Sequence, residues 1–200
     1  MAGIEAQALG RWRHVCFRAA QIDVVSANVD LLILGMSEQA VTAGTRGGAN
    51  QLDQVLHGTL GRLRAGGIFG GVFDETLMLS KPPAPIRARA VMLIGVGRQL
   101  SGDPAPFSAL TQRAMRAALR MQARHVACML GWSDLEIPAA AIAPMAAGMM
   151  QGALMAIDAF IPATAGDAAA LPGIDWTFDI RNGDAEQTST TLRQTLLAWR

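Results

Sequence analysis

The sequence has few aromatic residues, one lysine and almost no net charge, and each shortage narrows the structures or functions that the chain can have. It has no tyrosine, and only 5% of its residues are aromatic although 51% are hydrophobic. We therefore predict a core of aliphatic side chains, methionine and alanine. Lys81 is the one lysine among 17 basic residues, which excludes chemistry that needs two lysines. The formal net charge of +1 is too weak to favour nucleic acid or an acidic membrane as a partner.

Cysteine is scarce as well, and the two that occur lie far apart in the chain. Cys16 and Cys128 form no CxxC pair, so we interpret them as reduced core thiols of a cytoplasmic protein. The N-terminal stretch MAGIEAQALGRWRH has charges where a secretory signal has its apolar region, and no export signal is predicted.

A long uncharged run does occur, from Ile137 to Ile157. Its length meets the requirement for a membrane span. Two prolines, two glycines, a glutamine and many alanines make it a poor one. We therefore expect a helix from Ala139 to Ile157 that is buried by the sheet or by another subunit, with no membrane insertion.

Apolar runs and helical periodicities alternate along the chain. The patterns predict strands at residues 12–18, 30–36, 76–80, 89–96, 125–130 and 176–180, and helices at 52–63, 106–123, 139–157 and 185–199. Such alternation favours a mostly parallel, mixed sheet with helices on both faces. With no visible linker or repeat, residues 1–200 are predicted to form a single domain.

The segment VMLIGVGRQL has the look of a nucleotide site, because an apolar run ends in two closely spaced glycines. A dinucleotide fingerprint needs a third glycine, but after Gly95 and Gly97 that position is Leu100. No acidic residue stands where a ribose would need one. We therefore expect no nicotinamide or flavin cofactor, and a strand that ends in a glycine turn is the simpler interpretation.

In its wider context the same stretch points to a family. The segment DETLMLSKPPAPIRARAVMLIGVG resembles the N-terminal domain of leucyl aminopeptidases, which has an ETLLL strand, a proline turn and a strand of the form RVLLVGLG in this order. Four more segments are similar to elements of that domain: DLLILGM, LDQVLHGTLGRLRAGGIFGG, SALTQRAMRAALRMQARHVACML and AAGMMQGALMAIDAF. Together they cover most of residues 30–160.

The resemblance implies a three-layer α/β/α fold like that of macrodomains. It also implies that peptidase chemistry belongs to a separate C-terminal domain, in which a lysine and several carboxylates hold two metal ions. We expect this chain to end before such a domain, and so to be non-catalytic, without metal or cofactor. The segment NGDAE at residues 182–186 is similar to that domain's NTDAEGR metal motif, but Gln187 and Thr188 replace the final two residues. We interpret Asp184 and Gln187 as a helix cap.

Other candidate sites are weaker. The three histidines, His14, His57 and His125, have no metal-ligand spacing and are expected in structural or surface positions. A glycine-rich loop ends at a predicted helix N-terminus, where backbone amides can bind an anion. The candidate ligand-binding residues are Arg46, Gly47, Gly48, Asn50, Gly95 and Gly97.

Three functions follow as hypotheses. The first is a non-catalytic relative of the aminopeptidase N-terminal domain that forms homo-oligomers through the helix from Ala139 to Ile157. The second is a macrodomain-type binder of a nucleotide or another small phosphorylated anion. The third is a DNA-binding accessory, because four arginines recur at helical spacing on the face opposite the apolar one. They are Arg113, Arg116, Arg120 and Arg124. The near-neutral net charge makes nucleic acid the less favoured partner.

Overall fold

The computed structural model describes residues 6–38, 47–98, 103–130, 138–160, 173–181 and 185–199. Within these ranges the strands are β1 (Gln7–Trp12), β2 (Val15–Ala20), β3 (Leu31–Ser37), β4 (Thr76–Ser80), β5 (Ala90–Gly97), β6 (His125–Met129) and β7 (Ile174–Asp179). The helices are α1 (Gly48–Val55), α2 (Thr59–Ala65), α3 (Pro104–Met121), α4 (Ala139–Asp158) and α5 (Ala185–Ala198).

The described strands form one sheet in the order β1-β2-β7-β6-β3-β5-β4. Neighbouring strands from β2 to β5 in this order are parallel, while β1 and β4 pair antiparallel at the two edges. Strands β3 and β5 are buried along their whole length. Continuous burial is expected where helices cover both faces of a parallel sheet, so the predicted mostly parallel, mixed sheet is confirmed.

Two apolar clusters lie on opposite faces of the sheet. On one face α3, α4 and α5 pack over alternate residues of the strands, with Phe17, Trp176 and Phe178 among the larger side chains. On the other face α1, α2 and the neighbouring loops cover the remaining strand residues, including Leu32 and Leu34. The result is a three-layer α/β/α fold, as expected.

The predicted strand at residues 12–18 is wrong, because it runs through a tight turn. The structure has an antiparallel hairpin in which Trp12 pairs with Val15, and Arg13 takes a positive φ of 50°. His14, expected inside a strand, lies in this turn. Hairpin turns with positive φ usually contain glycine or asparagine, and an Arg-His turn gives no such signal.

The helix predicted at residues 52–63 is also wrong in one respect, since it is two helices. His57 and Gly58 both have positive φ and separate α1 from α2. The Asp53 carboxylate then accepts hydrogen bonds from Leu60 N at 2.6 Å and Gly61 N at 3.3 Å, which satisfies two free amides at the start of α2. The leucine periodicity continues across the break, and so hides it.

Helix α4 lies directly against α3, with backbone approaching backbone. A Cβ atom on Gly148 would lie 2.7 Å from the Pro104 carbonyl oxygen, and one on Gly152 would overlap the Ser108 carbonyl oxygen. By length and composition α4 could cross a membrane, but 67% of its apolar window is buried inside the protein. Packing within one chain therefore accounts for the lack of charge in this helix.

Candidate functional site

The predicted glycine-rich site divides between two places at the C-terminal edge of the sheet. Gly47 is the N-cap residue of α1, and no side chain caps this end of the helix. Gly48 is buried in the first turn beside Leu34 and Met129. Asn50 lies in the same turn. Arg46, the one charged member of the predicted set, lies outside the described residues. The part of the site that can be described is thus a helix N-terminus without a side-chain cap.

A charged pair that sequence reasoning missed lies beside this helix start. Asp179, at the end of β7, is buried and accepts a hydrogen bond from Ile22 N at 2.9 Å. Arg181 approaches the same carboxylate at 3.2 Å, and its guanidinium would lie 4.0 Å from a Cβ atom on Gly48. Burial raises the pKa of Asp179, although Ile22 and Arg181 oppose the shift. The pair places a cation next to the positive end of α1.

Gly95 and Gly97 have a packing reason of their own. The segment 70–74 crosses the end of β5, and a Cβ atom on Gly95 would overlap the Val72 carbonyl oxygen. Gly95 N donates to the Glu75 carbonyl oxygen at 2.7 Å, and Gly97 N donates to the Gly71 carbonyl oxygen at 2.9 Å. Close approach of backbone to backbone explains the glycines without a ligand, so their role in binding stays a prediction.

The crossing segment is fastened by two charged side chains. The Glu75 carboxylate accepts hydrogen bonds from the amides of Gly70, Gly71 and Val72 at 2.9 to 3.1 Å. Arg64 donates to the carbonyl oxygens of Ser37 at 2.7 Å and Gly70 at 2.9 Å. Because these partners hold it, the segment covers the ends of β3 and β5.

The predicted arginine stripe on α3 is not uniform. Arg113 forms a bidentate ion pair with Asp74, through its Nε and Nη2 atoms. A cleft of about 440 Å³ is lined by Phe73, Asp74, Met92, Ala109, Gln112, Arg113, Arg116, Ala117 and Arg120. Arg124 lies beyond the cleft, where its backbone amide donates to Asp30. Three arginines of the stripe therefore line a cleft, and among the described residues only Arg113 of the three has an acidic partner.

At the other end of α4, one carboxylate joins three elements. Asp158 accepts hydrogen bonds from Trp12 Nε1 at 3.0 Å, Arg13 Nε at 2.7 Å and Trp199 Nε1 at 2.9 Å. Burial alone would raise the pKa of Asp158, but the hydrogen bonds from Trp199, Trp12 and Arg13 outweigh it and hold the pKa low. The contacts connect the β1–β2 turn to α4 and α5.

The described residues contain no group of three or more potential metal-ligating side chains. The His14 Nε2 atom is buried and has no hydrogen-bond partner among the described residues. Burial, together with the charges of Arg13 and Arg11, lowers the pKa of this histidine. Both cysteines are free, and burial raises the pKa of the Cys128 thiol far above its usual range. Of the NGDAE segment, residues 182–184 lie outside the described residues, so the predicted cap at Asp184 does too.

This layered arrangement defines a protein of the macrodomain fold. A mutant Oceanobacillus iheyensis macrodomain superimposes with a TM-score of 0.67 at 8% identity, over 98% of this chain and 94% of that chain. A Trypanosoma brucei macrodomain in complex with ADP has a TM-score of 0.60 at 13% identity, over 92% of this chain and 69% of that chain. At such identities the likeness shows the fold alone.

The sequence narrows this class to a family. The model for the N-terminal domain of the cytosol aminopeptidase family matches residues 33–155, more than half of the chain, and the chain belongs to that family. A mutant tomato leucine aminopeptidase has a TM-score of 0.64 at 20% identity over 90% of this chain, which spans only 35% of that chain. No curated protein matches the sequence.

Proposed function

We propose that this chain has no peptidase chemistry of its own and acts in the cytoplasm as an interaction module that associates with further copies of itself. Two observations support the non-catalytic part. The family match lies in the N-terminal domain, and the described residues bring no set of carboxylates together. A two-metal hydrolase needs several convergent carboxylates on a rigid shell.

The surface that carries the proposal lies where α4 meets α5. Leu197 and Met155 are 68% and 46% exposed, which is high for large apolar side chains. Between the two helices is a hollow of about 350 Å³ lined by Gln151, Gln194, Thr195, Ala198 and Trp199. Neutral amide and hydroxyl groups beside apolar ones suit contact with an identical surface, because none of the residues that line the hollow is charged.

Only one side of α4 is exposed and can face another subunit, rather than the whole helix from Ala139 to Ile157. Most of the helix is buried by α3 and α5 within one chain, and its exposed residues form a narrow stripe that includes Pro144, Gln151 and Met155. The proposed contact between copies therefore combines this stripe with the C-terminal turn of α5.

Sedimentation velocity across micromolar concentrations tests the proposal. We expect a dimer or larger assembly, reduced to a monomer by Met155→Glu combined with Leu197→Glu. As a matched control, Met121→Glu combined with Val72→Glu adds the same charge at exposed apolar residues elsewhere, and should leave the assembly intact. A monomer at every concentration of the unaltered chain would refute self-association.

The non-catalytic part has its own test. We expect no hydrolysis of leucyl-p-nitroanilide when Mn²⁺ or Zn²⁺ is added. Hydrolysis that Asp184→Ala abolishes would show that the NGDAE segment is a metal site and would overturn this part of the proposal.

A second candidate function is binding of a small phosphorylated anion at the start of α1. The observation that favours it is the Arg181 guanidinium beside Gly48, because a cation and a helix N-terminus both attract phosphate. Calorimetry with ADP-ribose and with inorganic phosphate tests it. We expect Arg181→Gln and Arg46→Ala each to weaken binding, while the same heat from both variants as from the unaltered chain would reject this site.

A further inference from the structure

The strand β4 ends the described sheet on one side, and half of its backbone groups point away from it. Lys81 N donates to the Arg89 carbonyl oxygen at 3.0 Å, and Gly95 N donates to the Glu75 carbonyl oxygen at 2.7 Å. Because hydrogen-bonded residues alternate along an antiparallel strand, the odd-numbered residues of β4 pair with β5. The even-numbered ones direct their amide and carbonyl groups to the open edge. They are Thr76, Met78 and Ser80, and all three are exposed.

The two faces of this edge differ in character. Met78 lies opposite Met92 of β5, so both side chains are on the α3 face of the sheet. Leu77 and Leu79 are on the other face, half-buried against the second apolar cluster. A strand added beside β4 would therefore direct every second side chain to the face that has the α3 cleft, and the others to the face of the second apolar cluster.

The cleft on the α3 face is positively charged, and it lies over Met92 of β5, which pairs with the middle of β4. The ion pair of Arg113 with Asp74 joins α3 to the start of β4. Met92, opposite the middle of β4, lines the same cleft as Arg116 and Arg120. Both arginines are exposed, and neither forms an ion pair with an acidic residue in the described ranges.

The spacing of the two arginines matches that of an extended chain. Arg116 and Arg120 are four residues apart on a helix, which is a rise of about 6 Å. Side chains on one face of a strand are two residues apart, or about 6.7 Å. Carboxylates at alternate positions of an added strand can therefore each meet one guanidinium.

We propose that the outer edge of β4, where the described sheet ends, binds an extended segment of another protein in which acidic and aliphatic residues alternate. The backbone of the segment pairs with Thr76, Met78 and Ser80, and its acidic side chains bind Arg116 and Arg120. Pro82 and Pro83 confine the pairing to β4 itself. The site is separate from the α4–α5 surface, so this inference does not depend on self-association there.

Charge distinguishes this partner from a second copy of the chain. Antiparallel pairing of β4 with another β4 would put both α3 helices on the same face of the joined sheet. The arginines of the two copies would then face each other across the junction, where like charges repel. An acidic segment instead neutralises both guanidinium groups.

Fluorescence anisotropy with the full chain tests the site. The probe is a short labelled peptide in which glutamate alternates with valine, and we expect saturable binding that weakens with salt. Arg116→Gln combined with Arg120→Gln should weaken it by about tenfold or more, since two charge-assisted contacts are lost. Arg87→Gln combined with Arg124→Gln removes the same charge outside the cleft and is expected to have little effect.

Two altered peptides separate the parts of the inference. A peptide methylated on the alternate backbone amides that face β4 cannot pair with the edge and is expected not to bind. A peptide with glutamine in place of glutamate should bind weakly. The inference is overturned by the absence of saturable binding, by equal weakening in both double variants, or by unimpaired binding of the methylated peptide. Edge pairing between copies, seen as sedimentation that shifts with Met78→Pro but not with Met155→Glu, would also overturn it.

Discussion

One side of α3 is closed by α4, and the other side borders an open cleft toward β4. On the closed side, glycines of α4 let two helix backbones come into contact, and the buried side chains are uncharged. On the open side, exposed arginines stand over a cleft with Met92 in its wall. The difference teaches that the uncharged run in this sequence is mainly a packing feature, whereas the charged stripe keeps exposed arginines beside a cleft.

The packing of α4 against α3 is disrupted most directly by adding one methyl group at a glycine of α4. In Gly152→Ala the new Cβ atom overlaps the Ser108 carbonyl oxygen, and backbone cannot move aside as a flexible side chain would. We expect the free energy of unfolding to fall by about 2 kcal/mol despite the higher helix propensity of alanine. Urea unfolding followed by circular dichroism measures the change.

Gly70→Ala is the control for that substitution. Its Cβ atom would lie 3.8 Å from both Glu75 Oε2 and Val72 Cγ2, an ordinary contact distance. We expect a change within about 0.5 kcal/mol. Equal losses in the two variants would contradict the idea that helix contact makes Gly152 necessary.

The open side has one tight contact of its own, at the end of β5. In Gly95→Ala the added Cβ atom overlaps the Val72 carbonyl oxygen. Val72 is exposed, so its backbone can move outward into solvent at the cost of its hydrogen bond to Glu75, whereas Ser108 lies within a packed helix pair. We therefore expect a smaller loss of stability, about 1 to 2 kcal/mol. Faster hydrogen exchange at Gly97, whose amide is bonded to that segment, would locate the disturbance.

A loss for Gly95→Ala that exceeds the loss for Gly152→Ala would reverse the comparison between the two sides. It would mean that the crossing segment is held as rigidly as the helix pair. Unchanged exchange at Gly97 would separately contradict the packing explanation for this glycine.

Much of the fold could be predicted, because its central elements have unambiguous patterns. The continuous apolar runs of β3 and β5 and the periodicity of α3 gave bounds within two residues of those in the structure. The Arg13 turn and the break at Gly58 were missed, since the first lacks the usual turn residues and the second lies inside an unbroken leucine pattern.

The candidate site was less predictable because it depends on contacts between distant residues. Gly95 was noticed as a nucleotide-site glycine, but only the path of residues 70–74 supplies its packing role. The stripe on α3 was visible from spacing. Which of the cleft arginines has an acidic partner depends on Asp74 reaching Arg113 from the segment before β4, and no local pattern encodes that meeting.

The closed side can also be probed by pH, through the carboxylate at the end of α4. Asp158→Asn removes the charge that three donors share, and we expect the free energy of unfolding at neutral pH to fall by about 1 kcal/mol. The folded pKa of Asp158 is lowered, so its stabilising effect is present above the unfolded value and lost as pH falls through the folded one.

Urea unfolding of both proteins between neutral and acid pH measures this effect. The difference between Asp158→Asn and the unaltered chain should be largest at neutral pH, begin to narrow at about pH 4, where the carboxyl group of the unfolded chain is protonated, and disappear below the folded pKa. A difference that is constant with pH would show that packing, rather than charge, connects the β1–β2 turn to α4 and α5.

The smallest expected effect sharpens the comparison within the stripe itself. Arg113→Gln breaks the bidentate ion pair with Asp74, and we expect the free energy of unfolding to fall by about 0.5 kcal/mol because both side chains are partly exposed.

Arg116→Gln removes a charge that has no acidic partner in the described ranges and that lies one helical turn from Arg113 and from Arg120. It should leave stability unchanged or raise it by about 0.3 kcal/mol, since like charges at this helical spacing repel. If Arg116→Gln instead destabilises the chain as much as Arg113→Gln does, Arg116 stabilises the fold, and the contrast between the two arginines is wrong.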